Sequence, residues 1–189
     1  KDSGYDGQIE VEYKSFLLMP DAEYVPGKSY AQTLGELKGM PLSQTNQMLE
    51  QVSQMAQQSG VDINFENAKL SSTVDAHRVF QFAKKEAKGL AFFKRFYAAH
   101  FTDGELLSDI DAVVRLAEEV GLDGKDVRAI FESDDFKAEV EGDLSQAQQI
   151  GIQGVPFFVF NNKYAVSGAQ PPEVFSQVLQ QVWEEEQTN

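Results

Sequence analysis

Apolar residues recur every three or four positions through the middle of the chain, which is the spacing of helices with one buried face. The first run begins after Ser43, a residue type that caps helices, and closes at Gly60. The runs that follow are Thr73–Lys88, Leu90–Phe101, one capped by Ser108, a short one opened by Asp123 or Gly124, and one capped by Ser133 that closes at Gly151. Ser43 to Ile150 is therefore predicted to be mostly helical, with little or no sheet beyond a short piece, Val61 to Phe65.

The beginning of the chain has a different period. From Gln8 to Phe16 the apolar residues Ile9, Val11 and Tyr13 alternate with charged residues. Side chains of a strand point alternately to its two faces. The pattern predicts an edge strand with one polar face.

A short apolar run, Phe157 to Phe160, follows Pro156 near the other end of the chain. Asn161-Asn162 separates it from a second run, which predicts a β-hairpin. Proline cannot donate to a ladder, so Pro156 is expected at the mouth of the first strand. Pro171 and Pro172 then suit the first turn of a final helix.

Charge narrows the set of partners. Sixteen basic and thirty acidic residues give a net charge of −14, which repels nucleic acid and anionic membranes. No apolar run approaches the length that spans a bilayer, and Lys1 to Gly7 lacks the apolar centre of a signal peptide. The sequence predicts a cytoplasmic protein that binds neither nucleic acid nor membrane.

The absence of cysteine from all 189 residues excludes a disulfide framework and a thiolate metal site. His77 and His100 are the two strong nitrogen ligands that remain. No metal site and no cofactor are expected.

Three motifs carry a resemblance to a known family. Gly154-Val155-Pro156 and the run Gly168 to Phe175, Gly-Ala-Gln-Pro-Pro-Glu-Val-Phe, resemble the FrnE-like branch of the DsbA family, within the thioredoxin superfamily. Ser72 to Arg78 resembles a box that usually reads Asn-Thr-x-x-Ala-His-Arg in that family. The order of motifs matches the family from Ile9 to Trp183.

The resemblance implies an α/β fold in which a helical insertion, residues 43–150, interrupts a thioredoxin-like sheet built from residues 1–42 and 151–189. In that family the redox cysteines follow the first strand, at the start of the first helix. The chain is therefore expected to be a fragment that lacks this strand–helix unit. A strand from outside the sequence is expected to fill the slot between the Gln8 strand and Phe157 to Phe160.

The function implied by the resemblance is that of a thiol–disulfide oxidoreductase. Gly154, Val155 and Pro156 would bind substrate through their main chain, with a cis Val155-Pro156 bond, and no catalytic residue lies in the chain itself. The implied partner is a protein or small-molecule thiol or disulfide, and a homodimer is left open. Candidate pocket-lining residues are Ser72, His77 and Gln170.

A plainer interpretation of the Ser72 box is that Ser72 or Thr73 caps a helix and His77 packs against neighbouring helices.

Two other functions stay open. One is a glutathione-dependent isomerase or transferase related to 2-hydroxychromene-2-carboxylate isomerase. Kappa-class glutathione transferases look similar here but carry a Ser-Asp pair where this chain has Ala169-Gln170, which disfavours that function. The other is a non-catalytic, cysteine-free module that binds peptides along the proline edge.

Overall fold

The computed structural model describes residues 9–188, in which eight α-helices accompany one small sheet. The helices are α1 Tyr30–Lys38, α2 Leu42–Gln58, α3 Val74–Lys85, α4 Gly89–Ala98, α5 Ile110–Glu119, α6 Gly124–Phe131, α7 Lys137–Ile150 and α8 Pro172–Thr188. A π-helical turn, Ala99–Asp103, directly follows α4. The strands are β1 Phe157–Phe160 and β2 Tyr164–Ser167. None of the described helices is long and apolar enough to cross a membrane.

The prediction of a helical middle is confirmed. Helices α2 to α7 occupy most of Ser43 to Ile150, and no strand lies in that range. Val61 to Phe65 is irregular, so even the short piece of sheet allowed there is absent. The apolar period was a reliable signal because each helix buries one stripe of side chains.

Three of the predicted N-caps are wrong. Helix α2 begins at Leu42 with Pro41 as its N-cap, so Ser43 lies inside the helix. The carboxylate of Asp109 caps α5, accepting from the backbone N–H groups of Asp111 at 2.9 Å and Ala112 at 3.1 Å. The neighbouring Ser108 is therefore not the cap. Helix α7 begins well after Ser133, because a turn intervenes in which Phe136 has a φ of 61°.

Helix α1 was not predicted, although its start carries a recognisable signal. The Ser29 side chain accepts from the Gln32 backbone N–H at 3.2 Å, and the Gln32 side chain accepts from the Ser29 N–H at 2.8 Å. This reciprocal pair is a capping box. Gly39, with a φ of 65°, ends the helix.

The prediction of a strand from Gln8 to Phe16 is wrong for the part that the structure describes. Residues 9–16 are not in a strand, and Gln8 itself lies outside the described residues. Ile9 and Val11 remain 55% and 65% exposed. Alternating side chains fit an extended backbone, but a strand also needs a hydrogen-bonded neighbour.

The predicted hairpin is confirmed. Strands β1 and β2 pair antiparallel, with Phe157 opposite Ser167 and Phe160 opposite Tyr164. Asn161 and Asn162 have φ values of 47° and 55°, and the Lys163 N–H donates to the Phe160 carbonyl at 2.9 Å. Two central residues with positive φ form the kind of tight turn that matches strand twist.

The chain divides into two compact units. One contains the chain up to Phe16 and from Gly142 onward, and the other is Leu17–Glu141. The sequence placed these borders near Ser43 and Ile150. The earlier border at Leu17 has a physical reason, since α1 contributes Tyr30, Ala31 and Leu34 to a core cluster shared with Leu49 of α2.

The second unit, Leu17–Glu141, has its largest core among α3 to α6. The most deeply buried residues there include Val79, Val113, Leu116 and Val127, each with no exposed surface. In the first unit, Ala147, Val166 and Val182 are buried, at 6–8% exposure. Each unit thus has an interior of its own.

Candidate functional site

Backbone groups are left open at the mouth of the hairpin. The Gly168 N–H donates to the Pro156 carbonyl at 2.9 Å, so Pro156 and Gly168 form the first hydrogen-bonded pair of the ladder. From there, non-bonded and bonded pairs alternate along β1 and β2. Residues between bonded pairs of an antiparallel ladder turn their N–H and C=O groups away from the partner strand. Phe157 and Val159 therefore turn these groups toward the outer edge of β1, and Val155 directly precedes this edge.

Val155 is the most accessible residue of this edge. Its side chain is 47% exposed, and within residues 9–188 its backbone N–H and C=O take part in no hydrogen bond. The Val155-Pro156 bond is cis, the isomer that the resemblance implies. An extended segment could pair with this main chain as an additional strand would.

Helix α8 covers one face of the hairpin. The ring of Phe175 packs edge-on against Phe158, with centroids 4.8 Å apart, and lies 6.4 Å from Phe160. Val166 is buried, at 6% exposure, while Val159 on the opposite face is 42% exposed. A strand that is apolar on both faces is typical of a sheet covered on both sides.

Polar contacts fasten the turn of the hairpin to the end of α8. The carboxylate of Glu185 accepts from Lys163 Nζ and from the Tyr164 hydroxyl, and Gln181 Nε2 donates to that hydroxyl at 3.0 Å. The hydrogen bond with Glu185 raises the pKa of Tyr164, and the Lys163 ammonium lowers the pKa of Glu185. These contacts hold the turn of the hairpin and the start of β2 against the last turns of α8.

We expect Phe175→Ala to loosen the hairpin. Truncating a half-buried aromatic residue removes the ring that covers Phe158, at a cost of about 2 kcal/mol. Amide hydrogen exchange of β1 and β2 measures the effect. Phe93→Ala, which truncates an aromatic residue of the second unit, is the matched control and should leave hairpin exchange unchanged. Equal hairpin exchange in both variants would contradict the prediction.

The three candidate pocket-lining residues fall in different parts of the chain. Ser72 and His77 belong to the second unit and Gln170 to the first. The Ser72 hydroxyl accepts from the Val74 N–H at 3.4 Å, a local contact that agrees with a capping role. Gln170 Nε2 donates to the Ser167 carbonyl at 2.9 Å, and the half-buried His77 lies on α3.

Two shallow grooves of the second unit, of about 350 Å³ and 540 Å³, contain none of these three residues. The first lies beside α1 and the start of α2, and the second beside the end of α2. The pocket-lining role of Ser72, His77 and Gln170 stays a prediction.

Sequence reasoning missed Arg78, which makes the strongest contacts of the Ser72 box. Its guanidinium is buried and donates to three backbone carbonyls and one carboxylate. The acceptors are the Asp135 carbonyl at 2.9 Å, the Ser133 carbonyl at 2.5 Å, the Ile130 carbonyl and the Asp75 carboxylate at 2.9 Å. Arg78 therefore ties α3 to the end of α6. The signal in the sequence was Asp75 three positions before Arg78, the spacing of a helical ion pair.

The described part of the chain contains no group of three or more histidine, aspartate or glutamate side chains arranged to hold a metal ion.

Comparison with known proteins gives a consistent set of relatives. The sequence model of the family described as "DSBA-like thioredoxin domain" matches residues 2–180. The uncharacterized protein YwbO of Bacillus subtilis is 30% identical over 179 residues, which cover 90% of this chain and 81% of that protein. A crystal structure of a probable DsbA oxidoreductase from Streptomyces coelicolor superposes with a TM-score of 0.83 at 34% identity, covering 91% of this chain and 74% of that one.

Proposed function

The chain belongs to the DSBA-like thioredoxin domain family, and from this membership we propose that it is the substrate-binding part of a thiol–disulfide oxidoreductase. Its mixed α/β fold is the DsbA-like thioredoxin fold. The similar structure from Streptomyces coelicolor, described as a probable DsbA oxidoreductase, supports an activity of this type.

The observation that carries the proposal is the open main chain at the mouth of the hairpin. Val155 offers an N–H and a C=O that no other residue of the described chain uses. A substrate segment that runs antiparallel to Val155 would satisfy both groups. Gly154 has no side chain to obstruct the approach, and Pro156 ends the open stretch because its carbonyl is taken by Gly168.

The chemistry of the proposal needs two cysteines, and this chain contains none. A thiolate attacks one sulfur of a substrate disulfide, forming a mixed disulfide and releasing the other substrate sulfur as a thiolate. A second cysteine thiolate then attacks the mixed disulfide, so the substrate leaves reduced by two electrons and the cysteine pair is left oxidised. In this proposal the pair lies on polypeptide outside these 189 residues.

The finer assignments are part of the same proposal. We assign the protein to the FrnE-like branch because of the Gly168 to Phe175 run. We also assign it to the cytoplasm. The substrate is a cysteine-containing peptide or a small disulfide, since the open edge offers main-chain hydrogen bonds and apolar contacts. The exposed side chain of Val155 supplies those apolar contacts.

A second candidate, a peptide-binding module without redox chemistry, is favoured by the lack of cysteine. It uses the same edge and differs in needing no cysteine pair. Glutathione-dependent isomerisation gains no support, because Ala169 and Gln170 replace the Ser-Asp pair of the similar transferases and Gln170 is already bonded to the Ser167 carbonyl.

The edge is tested with a short extended peptide whose central cysteine is capped as a methyl disulfide, added to the ¹⁵N-labelled chain. We expect amide shifts confined to Gly154, Val155 and their neighbours in β1. Val155→Pro removes the open N–H and should weaken binding about fivefold, the equivalent of one hydrogen bond of about 1 kcal/mol. Val159→Pro removes an outward N–H farther along the same edge and is the matched control.

Unperturbed amides in this segment, or equal affinity of the Val155 and Val159 variants, would contradict binding at the Val155 edge. The complete gene product with its cysteines reduced, assayed for exchange with the methyl disulfide of the same peptide, then separates the two candidates. Exchange that falls in Val155→Pro supports the oxidoreductase. Peptide binding without exchange supports the binding module.

A further inference from the structure

The π-helical turn Ala99–Asp103 is the most unusual backbone element of the second unit. The N–H groups of Gly104 and Glu105 both converge on the Ala99 carbonyl, the latter at 2.8 Å. A π-turn is wider than an α-helical turn, is rare, and is often found where proteins change conformation or bind. Contacts with another segment add to these hydrogen bonds within the turn.

Those contacts come from the segment Asp62–Asn67, which lies alongside the turn. The Asn64 N–H donates to the Phe101 carbonyl at 2.7 Å, and the Thr102 hydroxyl donates to the Asp62 carbonyl at 2.8 Å. Gly104 ends the turn so close to this segment that a Cβ there would lie 2.5 Å from the Asn67 carbonyl oxygen. The turn and the segment therefore form one docked pair.

His100 lies within the turn, is half-buried, and has aromatic residues on two sides of its ring. The Phe101 ring lies 4.5 Å away and the Tyr30 ring 6.1 Å away, both edge-on. Its Nδ1 is buried and has no hydrogen-bond partner in the described chain. This environment accepts a neutral imidazole, whereas a protonated ring would bury a charge and an N–H donor without an acceptor.

Burial lowers the pKa of His100. The ionisable side chains on the elements around it are Tyr30, Glu36 and Lys38 on α1, Lys94, Arg95 and Tyr97 on α4, Asp103 in the turn, and Asp62 and Glu66 on the docked segment. Arg95 and Asp103 pair with each other at 2.9 Å.

We propose that the π-helical turn is a pH-sensitive latch, in which protonation of His100 releases the turn from the segment Asp62–Asn67. Release exposes the aromatic residues that the docked pair covers, Tyr30, Phe65 and Phe101. The Phe65 ring lies between the other two, with its centroid 5.2 Å from that of Tyr30 and 6.0 Å from that of Phe101. The latch is independent of the proposed function, because it lies wholly in the second unit.

The direction of the effect follows from proton linkage. Above the ordinary histidine pKa of 6.5, both the closed and the open forms are neutral and the latch stays closed. Below it the open form binds a proton first, because the pKa of His100 in the closed form is lowered. Opening therefore becomes more favourable as the pH falls below 6.5.

Amide hydrogen exchange of residues 62–67 and 99–105 tests the latch, compared at about pH 7.5 and pH 5.0 after correction for intrinsic exchange rates. Open-form protonation alone makes opening up to about 30-fold more frequent at the lower pH, so we expect an increase of tenfold or more in the wild type. His100→Phe keeps an aromatic ring without the titration and should show no such increase. His77→Gln, which removes the other histidine, should behave as the wild type.

The proposal is overturned if His100→Phe keeps the full pH dependence, or if the wild type shows none. A direct reading needs no variant, since the His100 ring protons report its protonation in the intact chain. A ring that titrates at or above pH 6.5 while the exchange of both segments stays constant also overturns it. If His100→Phe fails to fold, His100→Tyr provides the second non-titrating ring.

Discussion

Arg78→Met is expected to lower the free energy of unfolding of the second unit by about 3–5 kcal/mol. The Arg78 residue is 7% exposed, and its guanidinium donates to carbonyls of Ile130, Ser133 and Asp135. Methionine fills the space but donates nothing, so these carbonyls lose their partner where water has little access. Each unsatisfied buried group costs roughly 1–3 kcal/mol.

Urea unfolding followed by far-ultraviolet circular dichroism measures this loss, because helices α1 to α6 lie in that unit. The fluorescence of Trp183, the single tryptophan, reports separately on the first unit. Arg128→Met is the matched control. Arg128 pairs with Asp111 at the surface, its side chain is 47% exposed, and such pairs contribute under about 1 kcal/mol.

Arg78→Lys separates charge from geometry. A lysine ammonium retains the positive charge but cannot reach acceptors that the guanidinium contacts from two sides. We expect it to recover less than half of the loss. A lysine variant as stable as the wild type, or a methionine variant no weaker than Arg128→Met, would show that these carbonyls find other partners.

The helical middle of the chain could be predicted because its signal is local and repetitive. Val113, Leu116 and Ala117 of α5 are fully buried, at the three- and four-residue spacing that the sequence displays. The hairpin is equally local, since Pro156 and the Asn161-Asn162 pair mark its start and its turn. The cis Val155-Pro156 bond was implied by the family resemblance and not by the local sequence, because most X-Pro bonds in folded proteins are trans.

Other features depend on partners far along the chain. The carbonyls that bind Arg78 lie 52 to 57 residues away, so no local pattern could identify it as a clamp. Helix α1 has only nine residues, and its capping box at Ser29 and Gln32 was the stronger signal. Residues 9–16 alternate as a strand would, but the contacts of this segment depend on residues of α7 more than a hundred positions later.

The anchor of that segment gives the second large effect. Asp143→Ala is expected to destabilise the first unit by about 2–3 kcal/mol. The Asp143 carboxylate is 8% exposed, accepts from the Ser15 backbone N–H at 2.8 Å, and lies 3.4 Å from Lys14 Nζ. Ser15 is itself buried, at 1% exposure. Alanine removes a charged acceptor from a buried donor and leaves a space at the contact.

Urea unfolding followed by Trp183 fluorescence measures the loss, and the exchange rate of the Ser15 amide reports on the contact itself. Asp143→Asn keeps one acceptor oxygen and the side-chain volume, so it should lose about half as much, with Ser15 still partly protected. Glu141→Ala removes an exposed carboxylate two positions earlier on α7 and should change neither measurement. If Asp143→Ala unfolds at the same urea concentration as Glu141→Ala, the segment 9–16 is held by its other contacts, and the alternating pattern from Ile9 to Tyr13 serves packing that does not depend on this hydrogen bond.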